Sequence, residues 1–351
     1  MKKKAIIAMS GGVDSSVAAA LLLQRGFHCA GVTFELFQGK SSCSSFSVIN
    51  DAKNAALGLG IEHSVFNLSE EFDKQVVRRF IKTYEQGDTP NPCIDCNRLI
   101  KFNVELLQTL GLSQFDYFAT GHYARVKYDD ASGRFLLQKA HDEKKDQSYV
   151  LYTLTQRQLE KIHFPLGELS KNEVRKIAEE KKLVSAGKKE SQDICFVPDG
   201  DYGNFIEEYT GKKYPSGDII DMEGKIIGRH HGIIRYTIGQ RRGLGVAANV
   251  PVYVASKSAA DNTVTLGPDA ALYSKSLTAK DINLIACADL KKPIRVMVKT
   301  RYLQDAQPAI AEQTEEDFLR IEFDKPQRAI TSGQAAVMYD GDFVVGGGTI
   351  I

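Results

Sequence analysis

Lys4-Ala5-Ile6-Ile7-Ala8-Met9-Ser10-Gly11-Gly12-Val13-Asp14-Ser15-Ser16 is the stretch that decides the fold. Its apolar run reads as a buried strand and its glycine pair as a tight loop. The residues that follow read as a helix, with Val17, Leu21 and Leu22 on its apolar face and Gly26 as its stop. A strand–loop–helix unit aims several backbone N–H groups at one spot, where the helix dipole adds partial positive charge. It therefore predicts a phosphate site. A Walker loop would carry Gly-Lys-Ser/Thr; here no lysine follows the glycines. Ser10, Ser15 and Ser16 supply hydroxyls instead, and Asp14 can help hold a magnesium ion bound to the phosphates.

Outward from this unit, strand and helix patterns alternate through residue 123. Strands are predicted near Cys29–Phe37, His63–Leu68 and Phe115–Thr120. Helices are predicted over Ser47–Leu59, from a Ser69 cap, and over Asp95–Leu110. This alternation argues for an α/β fold with a doubly wound parallel sheet, whose ligands sit beyond the carboxyl ends of the strands. Residues 124–200 read as a mixed extension, with helices near Thr155–His163 and Ser170–Lys182. Ser170-Lys171-Asn172-Glu173 has the pattern of a capping box. After residue 200 short alternating β runs dominate, which predicts a small β-rich central domain over 201–277 and a closed β barrel over 278–351.

Charge narrows the function classes. The 45 basic and 44 acidic side chains leave a net charge of +1, which excludes a globally basic nucleic-acid binder. Local patches remain at Lys181-Lys182, Lys188-Lys189, Arg241-Arg242 and Lys291-Lys292. No stretch approaches the ~18–20 apolar residues of a membrane span. The apolar run after Lys2-Lys3-Lys4 stops at Ser10, too early for a signal peptide. A cytoplasmic protein is expected, with its six cysteines serving chemistry or packing rather than a disulfide framework.

Two of those cysteines, Cys96 and Cys195, have polar and proline-bearing flanks that favour chemistry over packing. Asn91-Pro92-Cys93-Ile94-Asp95-Cys96-Asn97-Arg98 places a Cys-x-x-Cys at a loop-to-helix junction, where a thiol pKa is expected to fall. Glu190-Ser191-Gln192-Asp193-Ile194-Cys195-Phe196-Val197-Pro198 carries another cysteine in a polar loop. Three cysteines suit sulfur transfer, redox work or an iron–sulfur cluster better than structural zinc, which needs four ligands. Cys29 and Cys287 lie in apolar runs and read as core residues. Cys43 stays undecided between packing and chemistry.

Ser-Gly-Gly-Val-Asp-Ser over Ser10–Ser15 resembles the signature of the ATP pyrophosphatase (PP-loop, adenine nucleotide α-hydrolase-like) family. Further blocks resemble the bacterial tRNA-specific 2-thiouridylases: Asn91-Pro92-Cys93…Cys96-Asn97, Ala119-Thr120-Gly121-His122-Tyr123, Lys145-Asp146-Gln147-Ser148-Tyr149, Ser191–Phe196, Tyr236–Gly245 and the glycine-rich ending Gly333…Gly348. The resemblance covers nearly the whole length. It implies ATP on Ala8, Met9, Ser10, Gly11, Gly12, Val13, Asp14 and Ser15, with adenosine near Phe34 and Gly121. It implies a tRNA with a wobble uridine as partner, met by Asn91, Pro92, Cys93, His122, Lys145, Asp146, Gln147, Arg301, Tyr302 and Gln334. Cys195 would carry a persulfide supplied by a cysteine desulfurase or a sulfur-relay protein, and Cys96 would be its catalytic partner, ending in a Cys96–Cys195 disulfide. A monomer is expected.

One departure bears on the mechanism. Some members have Asp where this chain has Cys93, and Asp95 would face elsewhere on a helix. Cys93, Cys96 and Cys195 look like the trio proposed to hold a 4Fe–4S cluster in related thiolation enzymes. Persulfide transfer ranks ahead of that route. Another PP-loop adenylating enzyme, of amidotransferase or NAD-synthetase type, is the remaining alternative, and it leaves the cysteine pair without a role.

Overall fold

A computed structural model describes residues 2–37, 46–183 and 194–351. The opening stretch forms β1 (Lys4–Ala8) and α1 (Val13–Gln24), followed by β2 (His28–Glu35), α2 (Phe46–Gly58), β3 (Glu62–Asn67) and, after a helical region, β4 (Tyr117–Ala119). These strands lie in the order β3-β2-β1-β4, and Ile162–His163 adds a fifth beside β4. Every pairing in the sheet is parallel. Successive side chains of β1 go to opposite faces. Ala5 and Ile7 pack with Ala19, Leu22, Ala52 and Ala55 of α1 and α2, while Ile6 joins Phe72, Val76, Phe80 and Ile100 on the other side. The sheet is covered on both faces, as a doubly wound fold requires.

Several predicted elements differ in detail. Asn67, not Ser69, serves the start of the 69–85 helical run: its Oδ1 accepts from Ser69 N at 2.9 Å, and Ser69 is the first helical residue. The helix expected over Asp95–Leu110 breaks at Phe102, because Asn103 caps a new helix, Val104–Thr109, by accepting from Leu106 N. The helix expected over Thr155–His163 stops at Leu159, and Ile162–His163 becomes the edge strand of the sheet. The capping box at Ser170 is present and starts the helix Lys171–Glu180.

The central β-rich domain is a four-stranded sheet in the order Tyr253–Ser258, Thr263–Gly267, Gly217–Ile220, Ile226–His230. The last six strands close a barrel, since Tyr273–Leu284 pairs with both Phe318–Arg328 and Phe343–Ile350. Alternate residues fill it, among them Val296, Val298, Leu319, Ile321, Phe323 and Met338. The hairpin of Arg125–Asp129 and Arg134–Gln138 extends the barrel sheet through Phe343 opposite Gln138. Tyr149 OH donates to Ala335 O at 2.9 Å, and Asn283 Nδ2 to Tyr152 O at 2.7 Å. The barrel is thereby seated on the nucleotide-type domain.

Candidate nucleotide and sulfur site

The strand order places the reversal of the sheet between β1 and β4. Chain progression runs outward through β2 and β3, then returns to the other side of β1. At such a switch point the loops leaving the two strands part and form a crevice. Those loops are Met9–Gly12 and Thr120–Tyr123, the two that the sequence assigns to the site. The Thr120–Tyr123 loop touches the first turn of α1, directly after Met9–Gly12: a Cβ built on Gly121 would lie 2.7 Å from Ser15 N and 2.8 Å from Asp14 C. Only glycine permits this approach of backbone to backbone.

The loop is braced from within. Ser10 N donates to Ser15 Oγ at 3.2 Å, Ser15 Oγ donates to Gly12 O at 3.2 Å, and Ser16 Oγ donates to Gly12 O at 3.0 Å. Gly11 has φ +69°, and its Cβ would meet Val48 O at 2.7 Å. Gly12 is the N-cap of α1, and no side chain caps that end. Met9 O accepts from Thr33 Oγ1 at 2.7 Å, which ties the loop's entry to β2. Phe34 is buried near the end of β2 and stacks on Phe118 with centroids 6.4 Å apart.

Asp14 is already engaged. Lys171 Nζ donates to its two carboxylate oxygens at 2.8 and 2.9 Å, and Tyr123 OH donates to Oδ1 at 2.7 Å. Lys171 is the functional candidate that sequence reasoning missed. The capping box located its helix, but nothing local says what the first residue of that helix reaches. His122 shares a 2.7 Å hydrogen bond between Nδ1 and Thr120 Oγ1 and lies near Phe102 and Phe164. Burial holds its pKa well below the usual histidine value, and Lys101 adds to the effect, so the ring is neutral at pH 7.

On the sulfur side, Asn91 stands at the N-cap position of the short helix Pro92–Cys96 without a side-chain capping bond, and Pro92 is the first helical residue. Cys93 is exposed and Cys96 is buried. The expected fall in thiol pKa is overturned. Cys96 ends its helical turn rather than starting it, and burial pushes its thiol up to about 11. Burial does the same to Cys195, also to about 11. Cys195 is half-buried, held through the next residue: Phe196 packs on Phe72, Phe80 and Phe205 with centroids 5.2 to 5.7 Å apart. Both thiols are free and border the same hydrophobic core. Asp95 turns away to Arg79, 3.6 Å distant, as a helix position two beyond Cys93 predicts.

Among the described residues no group of three or more His, Cys, Asp or Glu side chains is placed to hold a metal ion. Cys29 is buried in the core, and Cys287 packs against the barrel interior, as expected. Cys43, Lys188-Lys189 and Ser191–Asp193 lie outside the described residues.

Several residues implied for tRNA are occupied internally. Arg301 Nη2 donates to Ala329 O at 2.7 Å and Thr331 Oγ1 at 2.8 Å. Gln334 Nε2 donates to Thr89 O at 2.9 Å and Pro90 O at 3.1 Å, and Thr89 N donates back to Ser332 O at 2.9 Å. Buried Asp146 accepts from Ala140 N and from Ser148, while Gln147 Oε1 accepts from Tyr123 N at 2.9 Å. Tyr302 packs near Tyr149, and burial, with Asp146 and then Cys93 adding to it, pushes its phenol pKa up to about 12. Lys145 is partly exposed beside this group. The turn Thr89–Pro90, which leads directly into Asn91-Pro92-Cys93, is thus held by the barrel.

Residues 3–199 match the family described as tRNA methyl transferase HUP domain, residues 203–268 its PRC-barrel domain, and residues 274–350 an aminomethyltransferase beta-barrel domain. The tRNA-specific 2-thiouridylase MnmA of Acetivibrio thermocellus is 47% identical over 99% of both chains. This chain belongs to the tRNA-specific 2-thiouridylase family. The 2-thiouridylase of Clostridioides difficile is 46% identical, covering 100% of this chain and 98% of its own. A 4-thiouridine synthetase solved with RNA and bound ATP is a loose likeness only. It has a TM-score of 0.34 and 19% identity over 56% of this chain and 45% of its own, too little to carry an argument. Among the described residues no helix is long and apolar enough to cross a membrane.

Proposed function

We propose that the protein is an ATP-dependent tRNA-uridine 2-sulfurtransferase. It adenylates O2 of the wobble uridine and replaces that oxygen with sulfur, yielding 2-thiouridine, AMP and pyrophosphate. The observation that carries this reading is the contact of the Ser10–Ser15 and Thr120–Tyr123 loops at the switch point of a parallel sheet, in a chain whose family match spans its length. Residues 1–200 would act as the nucleotide and sulfur domain, with 201–277 and 278–351 shaping the RNA site around it.

Backbone N–H groups at the start of α1 receive the phosphates of ATP. Asp14 and the hydroxyls of Ser10 and Ser15 are hard oxygen donors of the kind that suits magnesium, which when bound offsets phosphate charge. Uridine O2 bonds to the α-phosphorus, the bridging P–O bond breaks, and its electron pair leaves on pyrophosphate. The terminal sulfur of a Cys195 persulfide then bonds to C2, and AMP departs with the oxygen. The Cys96 thiol attacks Cys195 Sγ and its proton passes to the departing thiolated base, leaving a Cys96–Cys195 disulfide for an external thiol to reduce. A cysteine desulfurase or sulfur-relay protein reloads Cys195. The target base must leave its stack to enter, and Asn91, Pro92, Cys93, His122, Lys145 and Tyr302 surround its path.

The test uses iron-free protein with ATP, magnesium, unmodified tRNA and a persulfide donor, reading 2-thiouridine and AMP together. Cys195→Ser should abolish thiolation while tRNA binding stays within about two- to three-fold, because the half-buried thiol supplies sulfur rather than RNA affinity. Full thiolation by Cys195→Ser would sink the sulfur assignment.

A further inference from the structure

We propose that Lys171 is the cation that meets the phosphates of ATP at this loop. It would supply, from a different helix, the charge that a Walker lysine supplies from within its own loop. The inference rests on the adenylating reading of the site. Residues 5–24 contain no lysine or arginine, so the strand, loop and helix that would cradle the polyphosphate bring no side-chain cation of their own. The fold delivers one. Lys171 opens the helix Lys171–Glu180, its side chain is only 9% exposed, and its ammonium reaches Asp14 in the first turn of α1 at 2.8 and 2.9 Å.

Its backbone is fixed in place. Ser170 and Glu173 close the capping box, and Lys171 N donates to Asp142 Oδ2 at 3.0 Å. The helix packs on α1 through Val174 and Ala178 against Val17 and Ala18. The ammonium lies 5.8 Å from the Tyr123 ring centroid, and Tyr123 itself leaves β4 on the opposite loop of the crevice. A buried ammonium is expensive unless paired, and Asp14 is its partner in the resting protein. That pairing puts the charge where α1 would receive phosphate.

When a polyphosphate enters, it brings more negative charge than Asp14 alone and competes for the same ammonium. Lys171 carries three donors, so it can turn to the β- and γ-phosphates while remaining beside Asp14. In the adenylation step the electron pair of the breaking bond collects on pyrophosphate. A fixed positive charge on that group stabilises the leaving group more than the ground state. Lys171 donates charge here and keeps its proton. As its ammonium turns, Asp14 oxygens become available to a magnesium ion.

The test compares binding of ATP, inorganic pyrophosphate and AMP, measured by calorimetric titration, in the wild type and in Lys171→Met, Lys171→Arg and Asp14→Asn/Lys171→Met. Lys171→Met should weaken ATP and pyrophosphate at least ten-fold and AMP less than about two-fold. Lys171→Arg, which keeps the charge, should retain most of the ATP affinity and remain folded if the methionine variant does not. The double variant should stay weak. Equal losses for AMP and ATP, wild-type ATP affinity in Lys171→Met, or recovery in the double variant would each overturn the inference; the last would mean that Lys171 only compensates Asp14. A wild-type protein that releases no AMP with tRNA would instead sink the adenylation reading, while the pyrophosphate-to-AMP comparison still decides the role of Lys171.

Discussion

Gly121→Ala puts one methyl group into the joint between the two site loops. The added carbon would stand 2.7 Å from Ser15 N, 2.8 Å from Asp14 C and 3.0 Å from Asp14 Cβ. Two of these neighbours are backbone atoms, so no rotamer change relieves the contact. Opening 2.7 Å to an ordinary contact of about 3.4 Å moves one loop by about 0.7 Å. Displacements near 1 Å cost about 100-fold when reacting groups must be aligned, so AMP formation should fall about 10- to 100-fold, or ~1.4–2.7 kcal/mol of activation free energy. Overpacking should also cost ~1–3 kcal/mol of stability. The assay is tRNA-dependent AMP release beside a thermal melt. Gly58→Ala is the control, because a Cβ there meets nothing within 4 Å. Gly121→Ala turning over ATP within two-fold of the wild type, with an unchanged melt, would refute the idea that the loops meet at the nucleotide.

The two glycines of the loop should separate in a thermal melt. Gly11→Ala forces a left-handed φ and a clash with Val48 O, costing at least ~1–2 kcal/mol, whereas Gly12→Ala has φ −90° and only Ser10 Oγ at 3.5 Å, so its melt should not move. Gln334→Ala removes two hydrogen bonds from the Thr89–Pro90 turn, ~1 kcal/mol each. The expected result is a lower kcat with the KM for ATP unchanged; a loss confined to tRNA affinity would mean that the amide leaves the turn to read RNA. The buried thiols predict a pH dependence. Their folded pKa of about 11 lies above the ordinary thiol value of 9.0, so their contribution is fully present below pH 9 and lost as pH rises through 11. Urea unfolding at stepped pH should show that decline, shallower in Cys96→Ala; equal slopes would refute it.

Much of the architecture was legible locally. The strand–glycine loop–helix unit, the alternating β runs and the Ser170 capping box depend on residues a few positions apart, and each formed. Positive φ at Gly11, Gly26 and Gly60 follows from the same short range. The failures were boundaries where two local signals competed. Asn103 out-capped a continuing helix, and Ile162–His163 took an open sheet edge in place of another helical turn.

The sequence by itself determined the strand–loop–helix unit, the order of α/β and β-rich regions, and which cysteines have polar neighbours, because periodicity, turn chemistry and capping act within a turn or two of chain. Only the tertiary structure decided what those residues face. Lys171 meets Asp14 across 157 positions and Gln334 meets Thr89 across 245, through packing that no local pattern encodes. The state of the thiols was decided the same way. A helix end lowers a thiol pKa by local dipoles, whereas desolvation depends on every element that folds over the sulfur, and at Cys96 and Cys195 desolvation is the larger effect.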